Sequence, residues 1–286
     1  MLHREVKPGR DIANHVECFW QVDRQARDPQ TTLLLIPEGI VDVLFCDHAL
    51  LLEFGGDGTG SAASLPAGAW VIGQKTQCCR LVLPVNAAVF GIRVKPFAVS
   101  CVSRLNPKEF RNSCLPFDAF ARHGQAQRVE QLCTEKTFSK RATAAELLMK
   151  GILETAPPFS PLTRAQVNYV LDRRGSVRLE ELRAHFDISR PTLCSRFIDQ
   201  LGLMPKELGK IWQFNHFMML QARYPDVGYT ELSLRAGYYD QSHLINDFKG
   251  LFNRPPAKYF RREAVEFNFH AQSIERRFSD LYPAVG

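Results

Sequence analysis

Along the first hundred residues, apolar and polar positions alternate in short bursts instead of at a helical period. The runs VECFWQV, TTLLLIP, IVDVLFC, LLLEF, AWVIG, CRLVLP and AVFGIRV are rich in β-branched and aromatic side chains, and DP, PEG, GGDGTG and PAG punctuate them. Helix signals are weak from His15 to about Leu105, so this half is predicted to be a sandwich or small jelly-roll barrel of roughly seven strands. From Asn106 to Glu154 the period changes. Val129, Leu132 and Cys133, then Ala144, Leu147, Leu148 and Ile152, fall mostly three and four apart, which predicts helices.

TAPPFSPLT, residues 155–163, carries three prolines that stop the preceding helix and stiffen the connection, and it is the best domain boundary. Beyond it the chain reads as helices throughout. RAQVNYVLDRRG ends at Gly175, and LEELRAHF turns Leu179, Leu182 and Phe186 inward. After a turn at Asp187 and Ile188, Ser189 caps RPTLCSRFIDQL, whose core stripe is Leu193, Phe197 and Leu201 and which stops at Gly202. PKELGKIWQFNHFMMLQARYP is apolar nearly all round, so it is predicted to be buried, with His216 structural. The stretch Tyr229 to Arg262 repeats the helix, turn, helix pattern. Leu232, Leu234 and Ala236 lead to Gly237, a residue that turns at φ > 0 without steric cost. Asp240 caps a second helix with Leu244, Phe248 and Phe252 at a spacing of four. The same order of short helix, turn and capped helix thus occurs on either side of the buried helix.

The run Leu232 to Arg261 resembles the second helix-turn-helix of the AraC/XylS family of bacterial transcription regulators, on Leu232, Gly237, Tyr238, Asp240, Ser242, Phe248, Lys249, Pro256 and Tyr259. It departs where Ser233 stands for Ala, Leu244 for Phe, Asn246 for a frequent Arg and Asn253 for Gly, and where Phe260 separates Tyr259 from Arg261. Val177 to Leu208 is similar to the first motif of that family, with Ser189, Leu193, Phe197, Gly202 and Pro205 in place. Ser195 occupies a position where the family often has Arg, and Arg196 takes the next one. PEGIVDVLF and FGIRVKPFA resemble the degenerate cupin-like sensor half of such regulators, with Phe97 in place of an expected Gly.

The resemblance implies an α+β multidomain chain: a cupin-like sensor barrel at 1–105, a helical segment at 106–154, a linker at 155–163, an all-α DNA-binding domain with two helix-turn-helix motifs at 164–263, and a tail at 264–286. It further implies a ligand-responsive regulator that binds double-stranded promoter DNA, contacts RNA polymerase and activates transcription. In relatives the 106–154 helices often form a homodimer surface, and packing across the barrel is the equal alternative.

Candidate DNA contacts are Arg190, Thr192, Cys194, Ser195 and Arg196 in the first motif, and Gln241, Ser242, His243, Asn246 and Lys249 in the second. Gln241 and Asn246 suit bidentate contacts to adenine edges, Ser242 and His243 suit bases or phosphates, and Lys249 and Arg190 suit phosphates. His243 and Lys249 have the alternative of only stabilising the fold. In the barrel, Arg93 and Lys95 share one face of a strand. Turned inward they would hold an anionic ligand, but the solvent-facing reading is favoured because charged side chains are seldom buried unpaired. Trp20, Trp70 and Glu38 are candidate lining residues.

Composition narrows the remaining classes. A chain of 286 residues, 45% hydrophobic, is ample for two cores, and no apolar run reaches the roughly 18 residues of a membrane helix. MLHREVKPGR has no signal-like run, which points to the cytoplasm. The cysteines at 18, 46, 78, 79, 101, 114, 133 and 194 lack C-x-x-C spacing and read as buried thiols, the Cys78–Cys79 pair having a redox or soft-metal alternative. His3, His15, His48 and His123 form no H-x-H pair, so no metal, cofactor or enzyme is expected. Net charge is +6, and residues 161–263 hold 16 Lys+Arg against 11 Asp+Glu, which places most of the excess where phosphates would bind. Two rivals remain: a DNA-binding protein whose barrel only dimerises or binds another protein, and a cupin enzyme or cysteine-based repair function fused to a DNA-binding domain.

Overall fold

The N-terminal half builds two antiparallel sheets. The strands are β1 (Leu2–Val6), β2 (Val16–Asp23), β3 (Thr32–Leu35), β4 (Val41–Cys46), β5 (Leu50–Phe54), β6 (Ala62–Leu65), β7 (Gly68–Ile72), β8 (Cys79–Val82), β9 (Ala88–Val94) and β10 (Cys114–Pro116). One sheet runs β1-β2-β9-β4-β7-β10 and the other β3-β8-β5-β6. This computed structural model describes residues 1–262 except 30, 56–59, 122–124 and 254, so His123 and the tail bearing Phe267, Phe269 and Phe278 lie outside the described residues.

Register decides which side chains meet. Trp20, Gly91, Leu44 and Trp70 form one row across β2, β9, β4 and β7, and Cys18, Arg93, Asp42 and Ile72 form the next row on the same face. That face meets the smaller sheet, where Trp20, Leu44 and Ile72 share a core with Leu33, Leu52 and Leu81. The opposite face presents Phe19, Val43, Phe45 and Phe90 to α3 (Ala126–Thr134) and α4 (Phe138–Glu154), through Leu132, Leu148, Met149 and Ile152. Burial on both faces explains why β2, β4 and β9 read as near-continuous apolar runs. Gly91 is required by close approach, since a Cβ there would lie 2.1 Å from the Trp20 indole.

Three local differences from the sequence reading have simple causes. β1 is a polar edge strand that pairs with β2 along its whole length, a pairing its composition does not advertise. β10 interrupts the stretch expected to be helical because Cys114 to Pro116 complete the sheet against β7. Short helices α1 (Val99–Val102) and α2 (Phe117–Phe120) flank it. α5 (Pro161–Asp172) starts inside the proline-rich segment: Ser160 accepts a hydrogen bond from the Thr163 amide (3.3 Å) and Pro161 takes the first turn, where its missing N–H costs nothing.

The remaining helices are α6 (Leu179–His185), α7 (Arg190–Leu201), α8 (Pro205–Arg223), α9 (Tyr229–Arg235), α10 (Gln241–Phe252) and α11 (Pro256–Arg262). Helix α8 is shared. Its Leu208, Ile211 and Trp212 pack with Leu182, Leu193, Phe197 and Leu201, while its Phe214, Phe217 and Met218 pack with Leu232, Leu244, Phe248 and Phe252. Each such buried side chain contributes about 1.5 to 3 kcal/mol, so α8 fixes both motifs. The barrel joins both cores, giving Leu34, Ile36 and Cys78 to the second and Cys101 to the first. Among the described residues no helix is long and apolar enough to cross a membrane.

Candidate nucleic-acid interface

The two motifs are built alike. In each, a seven-residue helix (α6, α9) precedes a twelve-residue helix (α7, α10). Ser189 Oγ accepts from the Thr192 amide at 3.3 Å, and Asp240 Oδ1 accepts from the His243 amide at 2.7 Å, so both second helices begin at the expected caps. Both end on a left-handed residue, Gly202 (φ +74°) and Asn253 (φ +57°), as their sequences require. Gly237 supplies the turn at φ +83°, and a side chain there would crowd Ser176 at 3.1 Å.

On α7, Arg190, Thr192 and Ser195 are exposed, and Cys194 and Arg196 are half-buried. Thr192 Oγ1 lies 2.8 Å from Ser189 Oγ. Ser195 donates to Asp199 Oδ2 (3.1 Å), and Asp199 Oδ1 accepts from barrel Asn106 Nδ2 (3.2 Å) with Lys108 Nζ at 3.7 Å. The Asn106 hydrogen bond, together with those of Ser195 and Lys108, holds the Asp199 carboxyl below its ordinary pKa. On α10, Ser242, His243, Asn246 and Lys249 are exposed. Gln241 is half-buried, its Oε1 accepting from Thr230 Oγ1 at 2.6 Å. Asp247 receives Lys210 Nζ of α8 at 2.6 Å and sits 3.7 Å from His243 Nε2. Asn246 also edges a cleft of about 410 Å³ shared with barrel Thr76 and with Glu207 and Lys210.

Sequence reasoning missed the acids at this interface, Asp199 and Asp247, because an Asp on an exposed helix face looks like an ordinary solvated charge. It also missed Asp42 and Lys75, which are each 1% exposed. Here a signal existed: a lone Asp in a run buried on both faces needs a cationic partner. The favoured solvent-facing reading of Arg93 is overturned for the same reason. Arg93 points between the sheets, 6% exposed, where Nη1 meets Glu38 Oε2 at 2.5 Å and Nε lies 3.5 Å from Asp42 Oδ1. Lys75 Nζ donates to Asp42 Oδ2 at 2.7 Å. Burial alone would pull the Arg93 guanidinium down, yet Glu38 and Asp42 hold it above its ordinary value. Two acids balance two bases. Lys95, half-buried, pairs instead with Glu17 at 3.7 Å. Trp20 lies inside the sandwich with Arg93 6.0 Å from its ring, while half-buried Trp70 donates to the Pro66 carbonyl at 2.8 Å. The candidate lining residues Trp20, Trp70 and Arg93 therefore share an inner face, Glu38 reaches Arg93 from the neighbouring loop, and Lys95 stands apart.

That cluster also fixes the loop that meets α8. Four consecutive carbonyls are claimed from the two halves: Pro37 by Asn215 Nδ2 (2.8 Å), Glu38 by Trp212 Nε1 (3.3 Å), Gly39 by Gln74 Nε2 (2.9 Å) and Ile40 by Lys75 Nζ (3.3 Å). Further on, Arg111 forks onto Glu207 of α8. Burial pushes the Cys46 and Cys114 thiols up to about 12 and the Cys79 thiol up to about 11. Among the described residues no three His, Cys, Asp or Glu side chains are grouped to hold a metal ion.

Residues 182–262 match the family described as a helix-turn-helix domain, and residues 4–116 match a domain of unknown function, DUF6597. With two capped helix-turn-helix units seated on one shared helix, the chain is a sequence-specific DNA-binding transcription regulator. More narrowly, it carries an AraC-type helix-turn-helix domain behind a DUF6597 domain. No curated protein matches the chain. Among solved structures it is similar to ToxT from Vibrio cholerae. A 1.65 Å form is 8% identical with a TM-score of 0.47, covering 85% of this chain and 98% of that one. The unsaturated fatty acid-bound wild type of strain SCE256 is 9% identical with a TM-score of 0.46, covering 86% and 96%. An apo form of the same strain, carrying one lysine-to-alanine substitution, is 11% identical with a TM-score of 0.45, covering 85% and 97%.

Proposed function

We propose that one chain reads a long asymmetric promoter site with α7 and α10 in successive major grooves, and that the barrel adjusts this by binding a small effector. The observation carrying this reading is the shared helix α8, whose opposite faces complete both motif cores. Thr192, Ser195 and Arg196 read bases from the first motif, with Arg190 on phosphate. Gln241, Ser242 and Asn246 read from the second, with His243 and Lys249 beside them. Gln241 Oε1 already accepts from Thr230 Oγ1, and a bidentate contact with adenine uses the second lone pair of that oxygen together with Nε2.

The effector reading rests on the Pro37–Ile40 loop. A ligand that alters the pairing of Arg93 with Glu38 changes the loop held by Trp212 and Asn215, and so binds the two poses of α8 with different affinity, as any effector must. The natural output is activation through RNA polymerase in the cytoplasm, with no covalent step. Repeated selection of duplexes from a random-sequence pool by the full chain tests the core of this. Enrichment of a two-block consensus is expected, and a pool that stays random after many rounds overturns it. Gln241→Ala should then weaken the selected site by about 1 to 3 kcal/mol and relax one base position.

A further inference from the structure

We infer that a pocket in the first helix-turn-helix seats a backbone phosphate of the DNA, using Arg178 and Lys206 together with Arg190; this rests on the DNA-binding reading above. The pocket, about 370 Å³, lies where α6, α7 and α8 begin. Its lining holds three cations, Arg178, Arg190 and Lys206, against one acid, Glu180, over an apolar floor that includes Val177 and Pro205. All three cations are exposed, and among the described residues no ion pair is formed by their side chains, although the Arg178 backbone amide donates to Glu181 Oε2 at 3.3 Å. Three cations against one acid leave the concavity with a net positive charge, which an anion seated between them offsets. A phosphodiester suits it in detail: it offers paired oxygens to the guanidinium forks of Arg178 and Arg190, a point-charge partner to Lys206, and deoxyribose carbons to the apolar floor.

The pocket's place along α7 identifies the polymer. Arg190 opens that helix and Ser195 follows five residues later, about 7.5 Å along the axis. A duplex whose base edges reach Thr192 and Ser195 therefore carries its backbone past the pocket mouth. The second motif supplies an internal control. Counting from the starts of the corresponding helices, Gly228, Gln241 and Ala257 stand where the first motif has Arg178, Arg190 and Lys206. The cationic trio is thus a feature of one copy and not of the helix-turn-helix frame.

The test uses the full chain and a random-sequence duplex, with binding followed by fluorescence anisotropy across a salt series. Arg178→Gln combined with Lys206→Gln should reduce the steepness of log K against log salt by up to about 0.9, the contribution of the one phosphate no longer neutralised. Lys136→Gln combined with Lys140→Gln, which removes two exposed charges far from the motifs, should leave the steepness unchanged. The pocket variant should also lose affinity equally for a selected duplex and a random one, as a backbone contact must. A slope matching that of the control variant, or a loss confined to the selected duplex, overturns the phosphate seat while the DNA-binding reading stands. Failure of the unaltered chain to bind any duplex overturns both.

Discussion

The two helix-turn-helix units share a frame and differ in how the barrel holds them. The second is fused to the barrel through oil: Leu34, Ile36 and Cys78 lie in the same core as Leu244, Phe248 and Phe252, and the Cys78 amide donates to the Leu251 carbonyl at 2.8 Å. The first meets the N-terminal half through a smaller apolar contact, Cys101 with Phe97 packed beside it, and through a polar rim where Asn106, Lys108 and Arg111 reach Asp199 and Glu207. Apolar cores separate at a cost of several kcal/mol, whereas half-exposed ion pairs each contribute about 0 to 1 kcal/mol. The polar rim at the first motif is therefore the part of these contacts that costs least to separate.

The largest test compares the two cores. Phe248→Ala and Phe197→Ala should each destabilise the chain by about 3 to 5 kcal/mol in urea unfolding. Only Phe248→Ala should also loosen barrel amides near Ile36 and Cys78, read by hydrogen exchange. Equal exchange in the two variants would erase the distinction.

Acid comes next, because it acts on the helix common to both motifs. His216 is 1% exposed, its Nε2 lies 3.1 Å from Arg174 Nη1, and burial followed by the Arg174 charge lowers its pKa from 6.5 to about 4. The folded state therefore resists protonation. The unfolded chain takes up the proton first, so stability is full above pH 6.5 and is lost as the pH falls towards 4, by up to about 3 kcal/mol. Stability measured across this window should fall for the unaltered chain and stay flatter for His216→Gln.

Smaller effects distinguish the helix ends and the polar seam. Gly202→Ala forces a side chain into the left-handed region and puts its Cβ 2.7 Å from the Pro107 carbonyl oxygen of the barrel, so a loss of at least about 1 to 2 kcal/mol is expected. Asn253→Gly, at the matching end of α10, should instead be neutral or stabilising by under about 1 kcal/mol, since glycine removes the Cβ penalty at φ +57°. Arg111→Ala should cost about 1 kcal/mol or less and ease separation of the first motif from the barrel, which amide exchange in α7 would report.

The frame was legible because local chemistry sets it. Ser189, Asp240, Gly202, Asn253 and Gly237 each do a job that the backbone demands at that position, and the fourfold spacing of Leu244, Phe248 and Phe252 can serve only one buried stripe. The seven apolar runs became strands for the same reason. What stayed hidden was long-range. Nothing in VDVLF or VIGQK says that Asp42 meets Lys75, a pair brought together from separate strands and loops. Arg93 was misjudged because its two acids, Glu38 and Asp42, lie more than fifty residues away in the chain. The edge strands β1 and β10 are polar or short, so their identity comes from the neighbours they pair with. The barrel's grip on each motif is tertiary by nature.

Both second helices are expected to read one duplex from one chain. Hydroxyl-radical footprinting of the full chain on a selected duplex addresses this directly. Two protected patches on the same face, about one helical turn of 10 to 10.5 base pairs apart, are predicted. A single patch, or two patches on opposite faces, would contradict it.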